Sequence, residues 1–166
     1  MHRLFPLAAL AVLSVVACSK SASNSSAGAA ATATAASAPA GTACDRKLIV
    51  AADVAPLLTE AVSSEKTIPG DLQSCEFETA GFSSVQITVR PGLGNAVVAQ
   101  VKSGATNQTV TPLPGVGDAA VWDPVLKQVT ASKNNVLCEI GAMGPSTSGA
   151  TPERVGALCN KIFAAG

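Results

Sequence analysis

The chain reads as a single α+β domain over residues 43–166, and three observations carry that reading. Several short runs alternate apolar and polar residues with the period of two that a half-buried strand needs. Two other stretches, one near the start of this region and one at its end, repeat apolar residues at helical spacing instead. Four cysteines, Cys44, Cys75, Cys138 and Cys159, are spread through the same region. A domain of this size supports one core. Aromatic residues are scarce there (Phe77, Phe82, Trp122 and Phe163, with no Tyr), so the core rests on Val, Leu, Ile and Ala.

The elements follow in order. "AADVAPLLTEAV" suggests a first helix with Asp53 near its N-cap, because Pro56 is tolerated only in a first turn. Val54, Leu57, Leu58, Ala61 and Val62 then share one face. "SCEFET" alternates as a strand with Cys75 and Phe77 on one side, and "SSVQITVR" does so with Val85, Ile87 and Val89 inward. "GNAVVAQVKSG" leans towards a short helix. "KQVTASKNNVLCEIGAM" forms two extended runs around Asn134-Asn135, residue types that tolerate the positive φ of a tight hairpin. On the second run Val136, Cys138, Ile140 and Ala142 share a face. The last helix has the clearest signal: Thr151 as cap, Pro152 at the first position, and Glu153 at the positive end of the dipole. Val155, Leu158, Cys159, Ile162 and Phe163 then make an amphipathic stripe.

What precedes residue 43 is of another kind. Residues 1–17 carry His2 and Arg3, then "LFPLAALAVLSVVA" without a charge. A positive head, a short apolar stretch and a small-residue exit are the pattern of a secretory signal peptide. "VVAC" resembles the bacterial lipobox, with Val15, Val16 and Ala17 leading to Cys18. The resemblance implies that Cys18 is diacylated (the palmitate-type modification) and becomes the first residue of the mature chain. Two or more acyl chains give durable membrane attachment where one gives only marginal binding. Ser19 in place of Asp after that cysteine favours the outer membrane, with the domain facing the periplasm. Residues 18–42, rich in Ser and Ala, have no aliphatic or aromatic side chain to bury beyond Ala, and read as a disordered tether. Such a tether reaches about 25–30 Å.

The chain has five cysteines. With Cys18 set aside, four remain in an oxidising compartment, where bridges persist. Three pairings are possible. The local one, Cys44–Cys75 and Cys138–Cys159, is preferred, because Cys138 lies on the apolar face of its strand and Cys159 in the stripe of the last helix. A redox role is disfavoured, since no C-x-x-C is present.

Charge and missing residue types narrow the function. Losing Arg3 with residues 1–17 takes the eleven Lys and Arg to ten against eleven Asp and Glu, a net charge of about −1. That balance offers no pull towards nucleic acid. The one histidine, His2, leaves with the signal segment, which removes Ser-His-Asp and Cys-His catalysis and histidine metal sites. Neither metal nor cofactor is expected. Asp118 with Asp123, and Glu76 with Glu78, could pair for glycoside hydrolysis, but solvated acids on turns and strand faces explain them better. "RPGLGNAV" has a G-x-G, yet Val97 fills the third small position of a dinucleotide fingerprint, so a turn is the better reading. "NSS" and "NQT" match the glycosylation sequon, which carries little meaning in a bacterium.

"TPLPGVGDAAVWD" (residues 111–123), with the "CDRKLIVAADVAPLL" opening, "SCEFET" and the closing helix, resembles a group of bacterial secreted lipoproteins of unknown function with a PsbP-like (LpqN-type) α+β domain. Their pattern runs Cys, "LLTAADVAALLG", "CxY", a "PGxGDAAxW" turn, a hairpin and a last helix. The resemblance covers most of residues 44–165 and is most specific at Gly117–Ala120. This chain departs from the pattern at Leu48, Ile49 and Val50, where the family tends to Leu-Leu-Thr, and at Phe77, which replaces a Tyr. The resemblance implies a curved antiparallel sheet with an N-terminal and a C-terminal helix packed on it, and it transfers no catalytic residue.

The expectation is therefore a non-enzymatic, lipid-anchored envelope module that binds a protein or envelope component. Gly115, Gly117 and Asp118 are best explained as a structural turn leading into a strand; on the functional reading Trp122, if exposed, would anchor that partner, with Asp118 and Asp123 beside it. An inhibitor or immunity-type protein, blocking an exported enzyme through a loop such as 104–118, is the alternative. A hydrolase using acids alone ranks third.

Overall fold

A computed structural model describes residues 41–68, 74–104 and 110–166 of the chain. The assignments at 1–17, at Cys18 and along the tether up to residue 40 lie outside the described residues, as do 105–109 of the loop 104–118. Packing begins within the last residue assigned to the tether: Thr42 is buried, and its amide and hydroxyl both donate to the Asp45 carboxylate at 2.9 Å.

Seven strands form one sheet in which all neighbours are antiparallel, in the order β1-β2-β3-β7-β6-β5-β4. They are β1 (Val62–Thr67), β2 (Ser74–Thr79), β3 (Ser84–Pro91), β4 (Thr111–Pro112), β5 (Ala119–Asp123), β6 (Gln128–Lys133) and β7 (Val136–Met143). Three helices accompany them: α1 (Ala51–Val54), α2 (Gly94–Gly104) and α3 (Pro152–Ala164). The α+β reading and the hairpin at Asn134-Asn135 hold.

One face of the sheet carries the main core. Phe77 of β2, Val85 and Ile87 of β3, Val129 and Ala131 of β6, and Cys138 and Ile140 of β7 are all fully buried in it. Alternation puts them on the same side, as the pairings Phe77↔Val85 and Ile87↔Ile140 require. The stripe of α3 closes over β6 and β7 on this side. The two disulfides are Cys44–Cys75 and Cys138–Cys159, the local pairing, with Cα separations of 6.0 and 5.8 Å. The second ties α3 to β7. Phe77, fully buried, has no hydroxyl to satisfy there, so the departure from Tyr costs no hydrogen bond.

Among the described residues, the opposite face is only partly covered. α2 packs over β5, β6 and β7, burying Val98 against a side of the sheet that also buries Val121 and Leu137. Beyond α2 this face displays polar side chains: Gln86 and Thr88 of β3, Gln128 of β6 and Glu139 of β7.

The first helix differs from the expected one. It is a single turn, Ala51–Val54, continued by a 3₁₀ turn at Ala55–Leu57, after which Leu58 is extended. Pro56 has no N–H to continue an α-helical ladder, and the Thr59 amide donates to the Ser146 carbonyl at 2.8 Å. Val54, Leu57 and Leu58 are buried as expected, but Ala61 is exposed and Val62 opens β1. Val62, Ser63, Ser64 and Thr67 are poor helix formers, and pairing with β2 decides their state. Asp53 sits at the third helical position, not at the cap. It accepts the Val50 amide at 2.9 Å and the Lys161 ammonium at 2.6 Å, which joins α1 to α3.

Candidate functional site

Asp118 and Asp123, both singled out in the sequence, lie at opposite ends of β5, and the two ends of the sheet differ in character. At one end the β6–β7 turn, the start of α2 and the "PGVGDAA" segment meet. Asn134 and Asn135 have φ of 49° and 59°, the left-handed pair a two-residue hairpin turn requires. The Gly94 amide donates to the Asn135 carbonyl and the Asn95 amide to Asn135 Oδ1, both at 3.1 Å. These are the donors a G-x-G helix start would offer to a phosphate, and the hairpin occupies them. A Cβ at Gly94 would lie 2.6 Å from the Val136 carbonyl oxygen, so the glycine serves close packing.

The "PGVGDAA" segment is gripped in the same way. Gly117 has φ 56°, and a Cβ there would come within 2.3 Å of the Ser132 carbonyl oxygen. Asn160 of α3 accepts the Gly117 amide at 3.1 Å and donates to the Gly115 carbonyl at 2.9 Å. Asp118 accepts the Asn134 amide at 2.7 Å and donates its own amide to Ser132. Asp118 therefore ties the hairpin down. The most distinctive motif of the chain is architectural.

Trp122 is also placed by packing. It sits opposite Val129 on the core face and is 8% exposed, so it is not available as the exposed anchor that reading required. Asp123 is buried, and its Oδ1 accepts the amides of Val125 and Leu126 at 2.8 and 3.0 Å. It shapes the β5–β6 turn and does not face outward. Asp118 and Asp123 lie at opposite ends of β5 and do not converge. Glu76 and Glu78 pair with Lys66 on the face of β1 and β2, at 3.6 and 2.5 Å. Among the described residues, no group of three or more His, Cys, Asp and Glu is placed to hold a metal ion.

The other end of the sheet has a different character. There the β2–β3 turn, the β5–β6 turn and the exit from β7 come together: Ser84 pairs with Met143, and the Ala142 amide donates to the Lys127 carbonyl at 3.2 Å. Of the six exposed large hydrophobic residues among those described, four lie here, namely Phe82 (95% exposed), Val125 (75%), Leu126 (47%) and Met143 (52%).

Phe82 is the most unusual of them. Its φ is 61°, in the left-handed region where a bulky side chain costs about 1–2 kcal/mol. The turn that holds it is secured on several sides. The Thr79 amide donates to the Ser83 carbonyl at 2.8 Å, and the Ser83 amide to Thr79 Oγ1 at 3.2 Å. Glu60 accepts the Gly81 amide at 3.0 Å and the Ser146 hydroxyl at 2.7 Å. The hydrogen bonds from Ser146 and Thr79, with that from Gly81, hold the Glu60 carboxyl below its ordinary value against the opposing effect of burial.

Beside this apolar end, on the open face, lies a cavity of about 240 Å³. Gln86 and Gln128 supply polar walls, and Thr88, whose hydroxyl is bonded to Ser74 at 2.7 Å, adds a third. Glu139 and Gly141 line it along β7, and Leu126 and Met143 bring it to the exposed apolar residues. Burial pushes the Glu139 carboxyl up, while the Arg90 guanidinium and a hydrogen bond with Thr130 act in the opposite direction.

Sequence reasoning missed this end. The signals were Phe82 between Gly and Ser in a turn, and Val125-Leu126 after Asp-Pro in another. Both are large apolar residues where a connection is normally polar. Comparisons of the chain with protein-family models, with curated proteins and with solved structures each return no match.

Proposed function

We propose that this chain is a lipid-anchored cell-envelope lipoprotein whose folded domain is a non-enzymatic docking module for a protein or envelope component. The observation that carries the reading is the gathering of Phe82, Val125, Leu126 and Met143 at one end of the sheet, with Phe82 held outward in a costly conformation. Aromatic residues, Phe among them, are enriched at the cores of protein interfaces, and local strain collects at functional sites. The contact therefore moves from Trp122 to Phe82, with Asp123 shaping the turn that presents Val125 and Leu126.

The address rests on the sequence. The apolar segment before Cys18 and the lipobox-like "VVAC" support acylation of Cys18, attachment to the outer membrane and a periplasmic location. The likeness to PsbP-like lipoproteins, with a curved sheet under an N-terminal and a C-terminal helix, supports the same placement. An inhibitor of an exported enzyme is the second reading. It is favoured by the rigid turn at Phe82, since a pre-ordered loop loses little entropy on insertion.

The test is site-specific photocrosslinking in intact cells with the full-length protein. A photoreactive residue at Val125 should give a discrete adduct, and one at Ala164, exposed at the far end, should give none. Equal labelling from both positions, or none from Val125, would refute the docking end. Cys18→Ser should release the protein from membranes, and continued retention would refute the anchor.

A further inference from the structure

The cavity beside the apolar end has the size and chemistry of a socket for one side chain. Sites that enclose a whole small molecule run to roughly 300–1,000 Å³, and this one holds about 240 Å³. Its lining changes character along β7. Met143, Gly141 and Glu139 point to the same face at successive alternate positions, so the strand leads from an exposed apolar residue, past a position with no side chain, to a carboxylate. Leu126 adds a second apolar wall at the exposed end, and Gln86, Thr88 and Gln128 are uncharged, leaving Glu139 as the one charged group of the lining.

An aliphatic stem ending in a cation matches that order. Lysine and arginine bury their methylene stems along apolar surface while their heads seek charge or water. A carboxylate withdrawn from water is costly unless paired. Arg90 on β3 eases that cost in part, and Thr130 on β6 gives Glu139 a hydrogen bond. Among the described lining residues none is a cation, and Arg90, which acts on Glu139 from beside the cavity, is not one of them. Gly141 leaves room for a stem: a Cβ there meets nothing nearer than 3.7 Å.

We propose that this cavity receives a lysine or arginine side chain of a protein partner docked on the Phe82 end, with the stem between Leu126 and Met143 and the cationic head at the Glu139 carboxylate. The inference rests on the docking reading above and specifies the partner's chemistry: a basic residue set beside an apolar patch.

Amide chemical shifts of the full-length protein, followed during titration with N-acetyl-lysine-methylamide, test it. The lysine probe and its arginine counterpart should shift the amides of Gln86, Thr88, Gln128 and Gly141, with a dissociation constant on the order of millimolar. The norleucine counterpart, which keeps the stem and lacks the charge, should not. Glu139→Gln should weaken the lysine probe by about tenfold or more, whereas Glu76→Gln, outside the cavity, should leave it unchanged. Gly141→Leu, which fills the socket and keeps the carboxylate, should also abolish the response. Equal shifts with norleucine, or none with any probe, would overturn the proposal. Ethanolamine acting as strongly as lysine would also overturn it, reassigning the cation to a lipid headgroup. A silent cavity together with a Val125 adduct would remove this inference and leave the docking reading standing, so the two failures are distinguishable.

Discussion

The two ends of the sheet solve the same problem, turning strands back on themselves, in opposite ways. At the hairpin end the left-handed positions are Asn134, Asn135, Gly115 and Gly117, residues that adopt that conformation at little cost. Their polar groups are taken up by neighbours: Asn160 grips the Gly115–Gly117 turn, and Asp118 and Asn135 join the hairpin to β5 and α2. At the other end Gly144 takes that conformation at little cost, but Phe82 and Lys127 take it at a cost, and four large apolar side chains stand exposed. The first arrangement maximises stability. The second gives some up, as the docking role proposed for it would require.

The comparison can be broken by substitution. The largest effect is expected from Cys138→Ala, which unties α3 from β7 and should cost about 3 kcal/mol by releasing the unfolded chain. Chemical denaturation with both proteins oxidised measures it. Next comes Gly117→Ala, whose new Cβ meets the Ser132 carbonyl at a left-handed position and should cost about 2–3 kcal/mol. A loss below 0.5 kcal/mol, by the size expected of a neutral surface change, would mean that the hairpin end is not closed as described. Phe82→Gly should have the opposite sign. Relief of the left-handed Phe outweighs the added entropy of glycine, for a gain of about 0.5–1 kcal/mol.

The smallest effect concerns pH. Burial raises the Glu139 carboxyl above its unfolded value, so its contribution to stability is present below the unfolded value and is lost as pH rises through the folded one. Glu139→Gln should therefore raise the melting temperature near neutrality, and the advantage should vanish below about pH 4. Melting curves of both proteins across that range decide it, and a variant less stable than the parent at pH 7 would contradict the assignment. Asp53 behaves in the reverse sense. Burial acts upward on it, but the Lys161 and Val50 hydrogen bonds and the Lys161 charge prevail and hold it low, so its contribution fades as pH falls.

Much of the fold was legible because it is written in local patterns. Alternation placed Cys75, Phe77, Val85 and Ile87 inward, Asn-Asn marked the hairpin, and Thr151-Pro152 marked the start of α3. The even count of cysteines left after Cys18, with Cys138 and Cys159 on apolar faces, favoured the pairing that forms. What escaped depends on partners distant in sequence. β1 is a strand because β2 lies beside it, and the first helix stops where Thr59 meets Ser146, 87 residues away. The candidate site was hidden for the same reason, since Phe82, Leu126 and Met143 carry no shared motif and come to one end of the sheet only when three connections are folded. The "PGVGDAAVWD" segment reads best in the sequence as a structural turn, and the contacts of Gly117 and Asp118 at the hairpin end agree with that reading.

The central claim is that Phe82 is kept outward for a partner and not for the fold. The most direct measurement pairs stability with capture: Phe82→Gly is placed in the full-length chain carrying the photoreactive residue at Val125, and melting temperature and adduct yield are read on the same protein. The account predicts a melting temperature equal to or above that of the parent and loss of the adduct. A lower melting temperature with the adduct undiminished would contradict it and make Phe82 a structural residue.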